Sequence, residues 1–106
     1  MENKNFKILI VDDVPTNIQV LGSILRNESY QIAFASSGKQ ALSLIETQQV
    51  DLILLDIMMP EMDGFEVCRR LRADDRFKDL PICILTALTD PQAHQAALDA
   101  GANLLL

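Results

Sequence analysis

The sequence predicts a single α/β domain built on a parallel sheet with helices against both faces. Two observations carry that expectation. Short, continuously apolar runs rich in β-branched residues alternate with segments whose apolar residues recur at helical spacing, in the order β-α-β-α-β-α-β-α-β. The chain has 106 residues, 49% of them hydrophobic, enough for one compact core and one domain, 1–106. In a sheet of this kind the functional crevice lies beyond the carboxyl ends of the strands, which locates the chemistry before any motif is considered.

Lys7–Val11 (KILIV) reads as a strand buried on both faces, ended by Asp12 and Asp13. Pro15 sits where a first-turn helix proline belongs. Ile18, Leu21 and Leu25 then recur at helical spacing, and Val20 and Ile24 widen the stripe. Tyr30–Ala35 is the second strand, and Ser36, Ser37 and Gly38 form the loop into a second helix with Ala41, Leu42 and Ile45 inward. Asp51–Leu55 is the third strand. Gly64–Arg72 is the third helix, with Val67, Cys68 and Leu71 facing the core. After Asp79, Leu80 and Pro81 comes the fourth strand, Ile82–Leu85. Asp90 and Pro91 open a fourth helix that Gly101 closes. Ala93, Ala96, Ala97 and Ala100 give that helix little apolar area to bury, so loose docking is expected. Asn103–Leu106 begins a fifth strand.

Composition excludes several function classes. No apolar run approaches the ~18 residues of a membrane span. The start, MENKNFKILIV, shows no apolar signal segment ahead of the first strand. The net charge of −6 disfavours direct contact with nucleic acid, which needs a basic patch. Cys68 and Cys83 are isolated in apolar contexts and are expected as buried free thiols in a reducing, cytoplasmic compartment. With His94 the only histidine, a soft-ligand metal site has too few donors. His94 itself is expected on the solvent face of the fourth helix.

Three carboxylates fall at strand ends: Asp12 and Asp13 after the first strand, Asp56 after the third. In the strand order 2-1-3-4-5 the first and third strands are neighbours, and the three acids crowd into one pocket. Like charges at short range require protonation or a cation. Oxygen donors without soft ligands point to Mg²⁺. Singly, Asp12 and Asp13 have an ordinary explanation as helix caps and Asp56 as a loop residue. Their convergence on one crevice favours a site. Thr86 closes the fourth strand beside that pocket, followed by the small Ala87, where a hydroxyl can bond an anion held at Asp56.

Together these residues resemble the receiver domain of two-component response regulators. The motifs are Asp12-Asp13, Pro15 and Asn17 in VDDVPTN, Asp56 in LLDIMMPEMDG, and Thr86-Ala87 in ILTA. The resemblance runs from Lys7 to Leu106 and implies a doubly wound, flavodoxin-like sheet of order 2-1-3-4-5. It implies that Asp56 is the phosphoacceptor, a carboxylate nucleophile that forms an aspartyl phosphate. Asp13 and Asp56 would hold Mg²⁺ with the backbone carbonyl of Met58, and Asp12 would complete the metal set by orienting a metal-bound water. Thr86 would move to the phosphoryl group, while Pro60 and Asp63-Gly64 shape the loop into the third helix. The implied donor is a histidine kinase or histidine phosphotransfer domain, and output would run through the surface of the fourth helix and fifth strand. Such a domain is not a conventional enzyme but catalyses its own phosphorylation and dephosphorylation.

The family places an aromatic switch residue where Leu105 stands and a lysine two residues beyond Leu106. The sequence therefore reads as a C-terminally truncated receiver, ending within the fifth strand with the last helix missing. Leu104, Leu105 and Leu106 then form an uncharged apolar end on the last strand, a template for self-association. Met58 and Leu88 lie two residues past Asp56 and Thr86. Both are apolar and offer a hydrolytic water no hydrogen bond, so slow phosphoryl loss is expected. Three other readings compete. A flavin mononucleotide carrier of the same topology would want a hydroxyl- and glycine-rich phosphate loop where DDVPTN stands. An aspartate-based phosphatase would want a second acid where Met58 stands. A degenerate receiver would serve only as an interaction or oligomerisation module.

Overall fold

The computed structural model describes residues 5–85 and 91–105. Five strands, β1 (Lys7–Val11), β2 (Gln31–Ala35), β3 (Leu52–Asp56), β4 (Ile82–Leu85) and β5 (Leu104–Leu105), alternate with four helices, α1 (Pro15–Asn27), α2 (Gly38–Thr47), α3 (Gly64–Arg72) and α4 (Pro91–Ala100). All strand pairings are parallel, and the order is β2-β1-β3-β4-β5, as the sequence predicts.

Side chains alternate across the pleat and so feed two cores. Leu9, Val11, Ile53, Leu55, Ile82 and Ile84 point to one face, where they meet Ala41 and Ile45 of α2, Val67, Cys68 and Leu71 of α3, and Ala97 and Ala100 of α4. Ile8, Ile10, Leu54 and Cys83 point to the other, under Ile18, Leu21 and Leu25 of α1. Both cysteines are free and buried. Burial pushes the Cys83 thiol up, and that of Cys68 up to about 11 against weaker opposition from Arg72 and Arg69. No helix among the described residues is long and apolar enough to cross a membrane.

Several expectations are corrected. Val20 and Ile24 do not widen the α1 stripe; they are 59% and 56% exposed. At 100° per residue they fall outside the arc of Ile18, Leu21 and Leu25, and the arc is extended on its other edge by the buried Gly22. β2 begins at Gln31, not Tyr30, whose ring packs edge-on against Phe6 at 5.7 Å. β3 is shifted by one residue: the Asp51 carboxylate is occupied by the Lys7 backbone N–H (2.8 Å), and Asp56 becomes the last strand residue. β5 starts at Leu104 because the Asn103 side chain is engaged elsewhere, and Leu106 lies outside the described residues. His94 is half-buried rather than solvent-facing.

Helix ends obey local chemistry. Ser37 caps α2 by accepting from Gln40 N–H, and Asp63 caps α3 by accepting from Glu66 N–H. Gly101 ends α4 with φ +114°, a conformation that favours glycine. Arg72 closes that end of the molecule: its guanidinium donates to the Gly101 and Phe77 carbonyls, both at 2.9 Å, and to Asn103 Oδ1 at 2.7 Å. The same Oδ1 accepts from the Ile82 N–H.

Candidate functional site

The register pairs Val11 with Leu55, so the next residues, Asp12 and Asp56, leave the sheet side by side. One carboxylate oxygen from each of Asp12, Asp13 and Asp56 lies within 4.8 Å of the others. These are the three acids singled out in the sequence, and the structure brings all of them together.

Asp12 is 7% exposed and is held from several directions. Its backbone N–H donates to the Ala35 carbonyl. Its Oδ1 accepts from Val14 N–H (2.9 Å), an Asx turn that frees Pro15 to start α1 without a donor. Its Oδ2 accepts from the Asn17 amide Nδ2 (3.1 Å). Asn17 is a site residue to which sequence reasoning assigned no role. Its signal was the spacing to Asp12, which puts it one turn into α1, back over the strand end.

Asp56 is half-buried, and its carboxyl is raised above the usual carboxylate range. Burial is the largest cause and the Asp12 charge the next; the Met58 N–H opposes them, Asp13 adds to the rise, and the Ile57 N–H again lowers it. A carboxylate that two amides steady and two acids repel is poised for a counter-charge.

The loop from β3 to α3 sets this geometry. Met59 N–H and Gly64 N–H both donate to the Ile57 carbonyl (3.0 Å each), and Met62 N–H donates to the Pro60 carbonyl (2.8 Å). Glu61 is left-handed, with φ 68°. A Cβ at position 64 would sit 2.5 Å from the Asp56 carbonyl oxygen, so only glycine lets α3 start this close to the strand end. Met58 leaves the fold side-chain first and is 74% exposed. Thr86, Ala87 and Leu88 lie outside the described residues.

The donor set fits a hard divalent cation: three clustered carboxylates, all oxygen, with no thiol or imidazole among them.

A family model described as response regulator receiver domain matches residues 8–106. Among curated proteins, response regulator PleD of Caulobacter vibrioides is 39% identical over 97 residues, covering 92% of this chain and 21% of PleD. DNA-binding response regulator MtrA of Mycolicibacterium smegmatis is 41% identical over 103 residues, covering 97% of this chain and 44% of MtrA. The chain thus spans from about a fifth to under half of these relatives. Among solved structures, Vibrio cholerae chemotaxis protein CheY4 is 33% identical with a TM-score of 0.90, over 95% of this chain and 84% of that one. The receiver domain of sensor histidine kinase PA1611 from Pseudomonas aeruginosa PAO1, solved with a magnesium ion coordinated in its active site cleft, is 35% identical with a TM-score of 0.86, over 95% of this chain and 83% of that one.

Proposed function

The chain belongs to the response regulator receiver domain family, and on that basis we propose that Asp56 is the phosphoacceptor of a Mg²⁺-dependent transfer from a histidine kinase or histidine phosphotransfer domain. One observation carries the proposal: Asp56 ends β3 with the carboxylate oxygens of Asp12 and Asp13 within 4.8 Å. Asp12, Asp13, Asp56 and the Met58 carbonyl would hold the ion. When bound, Mg²⁺ supplies the positive charge that offsets the carboxylates and the transferring phosphoryl oxygens.

The chain's own residues do the rest. An Asp56 carboxylate oxygen attacks phosphorus as the bond from phosphorus to the donor imidazole nitrogen breaks. The backbone N–H groups of Ile57 and Met58 steady the carboxylate that attacks. Asn17 and Val14 fix the Asp12 carboxylate in advance, so no reorganisation is needed during transfer. Thr86 is the proposed hydroxyl partner of the phosphoryl group, and the α4–β5 surface the proposed route of output. Buried free thiols at Cys68 and Cys83 support a reducing cytoplasm, and the charge of −6 argues against nucleic-acid contact by this segment.

Acetyl phosphate with Mg²⁺ should add one phosphoryl group to the intact mass. Chelation should prevent the addition, and so should Asp56→Asn. Full uptake by Asp56→Asn would defeat the assignment. No uptake by the parent chain would leave the interaction-module reading in its place.

A further inference from the structure

Three methionines sit in the loop that follows Asp56, and their surroundings differ sharply. Met59 is 7% exposed inside the larger core, and Met62 packs partly buried against it. Met58 is 74% exposed. Its backbone N–H faces the Asp56 carboxylate. Its side chain lines an open cavity of about 480 Å³ between this loop and α4, shared with Phe65 and Ala93 and rimmed by Asp63. Of these three thioethers, Met58 is the one open to a soluble oxidant, and it is also the one next to Asp56. The competing sulfurs are shielded: Cys68 and Cys83 are buried, and burial keeps both as thiols rather than reactive thiolates.

We propose that Met58 is a redox-modification site, oxidised by hydroperoxides to the sulfoxide, and that the sulfoxide shortens the life of the phosphoryl group on Asp56. The second half rests on the phosphoacceptor reading. In the oxidation a lone pair on Met58 Sδ attacks one peroxide oxygen. The O–O bond breaks and the S–O bond forms. With hydrogen peroxide the leaving hydroxide takes up the proton of the transferred oxygen and departs as water. Sulfur loses two electrons and the peroxide gains them.

The consequence follows from hydrogen bonding. Loss of the phosphoryl group needs a water held in line behind phosphorus. A thioether is a weak acceptor and holds no water there. A sulfoxide oxygen is a strong acceptor on the same flexible side chain, anchored two residues from the acceptor carboxylate. One hydrogen bond of ordinary strength to that water shortens the half-life by about fivefold.

The test uses the chain as it stands, with hydrogen peroxide as the oxidant. Peptide mass spectrometry should show Met58 oxidised about tenfold faster than Met59, following exposures of 74% and 7%. Untreated and oxidised samples are then phosphorylated with acetyl phosphate and Mg²⁺, the donor is removed, and decay is followed by intact mass. Oxidised protein should lose its phosphoryl group about fivefold faster, and methionine sulfoxide reductase with a dithiol should restore the slow decay. Peroxide should not change the decay of Met58→Leu, and Met58→Gln should decay fast without treatment. Oxidation spread evenly over the three methionines, or equal decay before and after treatment, overturns this inference alone. A parent chain that takes up no phosphoryl group before oxidation overturns the phosphoacceptor reading and this inference with it.

Discussion

Replacing Gly64 with alanine tests how tightly the acidic site is tied to the fold. A Cβ at 64 lies 2.5 Å from the Asp56 carbonyl oxygen and 2.9 Å from the Ile57 Cα, where ordinary contact begins at 3.4 Å. Both neighbours are backbone, so no side chain can swing away, and the chain segments must part by about 0.9 Å. That movement is resisted from both sides. Gly64 N–H is bonded to the Ile57 carbonyl, and Val67, Cys68 and Leu71 hold α3 in the core. Overpacking of this kind costs about 1–3 kcal/mol, and the better helix propensity of alanine returns up to about 1 kcal/mol. A backbone clash this short belongs at the upper end of that range, so the net loss of about 2 kcal/mol lowers Tm by roughly 8–16 °C for a domain of this size. Because the displaced atoms belong to Asp56 and Ile57, Mg²⁺ affinity should fall about tenfold in titration calorimetry, the effect expected when a ligand's support is disturbed. Gly38→Ala is the control. Its Cβ meets the Val67 Cγ2 at 2.8 Å and the Met62 carbonyl oxygen and sulfur at 3.1 Å, none of them an atom of the acids, so it should lower Tm and disturb Mg²⁺ affinity far less than Gly64→Ala. A Gly64→Ala protein as stable as its parent, with unchanged Mg²⁺ affinity, refutes the reasoning.

Further expectations concern the acids and the far end of the fold. The Asp56 carboxyl is raised above 3.8 in the folded state, so stability falls as pH rises through the folded value and the penalty is full at neutral pH. Asp56→Asn should therefore melt above its parent at neutral pH without Mg²⁺, with the gap closing below pH 3.8; a gap that widens on acidification contradicts this sign. Asn17→Ala leaves Asp12 Oδ2 without its donor and should weaken Mg²⁺ binding by about 10–100-fold with an unchanged circular dichroism spectrum. Unchanged calorimetric affinity would show that Asp12 needs no such support. Arg72→Met removes three hydrogen bonds, two at the α4–β5 junction and one to Phe77 between α3 and β4, and should cost about 2 kcal/mol in urea denaturation, with Mg²⁺ affinity untouched.

The local pattern of the chain determined its elements and put acids at the strand ends. Runs such as KILIV and ICIL carry apolar residues on both sides of the pleat, so their strands are legible from composition alone. The convergence of Asp12, Asp13 and Asp56 needs in addition the strand order that the family resemblance implies, in which β1, followed directly by two acids, neighbours β3, which ends in one. The family resemblance marked Asp63-Gly64 as shaping the loop into α3, while the cap that Asp63 makes and the close approach that Gly64 allows came from the structure. Tertiary packing decided what local pattern leaves open. Val20 and Ile24 are as apolar as Ile18 and Leu21; the helical period sets them off the arc of Ile18, Leu21 and Leu25, and how much of α1 the sheet covers was decided by its placement, which left them in solvent. The ends of β3 and β5 moved because Asp51 and Asn103 found partners in Lys7, Arg72 and Ile82, and those partners are 21 to 44 residues away. The hold of Asn17 on Asp12 likewise depends on how α1 leaves β1. Hydrophobic period is a property of neighbouring residues, whereas a hydrogen bond between distant ones exists only after the sheet and its helices have brought them within 3 Å or so of each other.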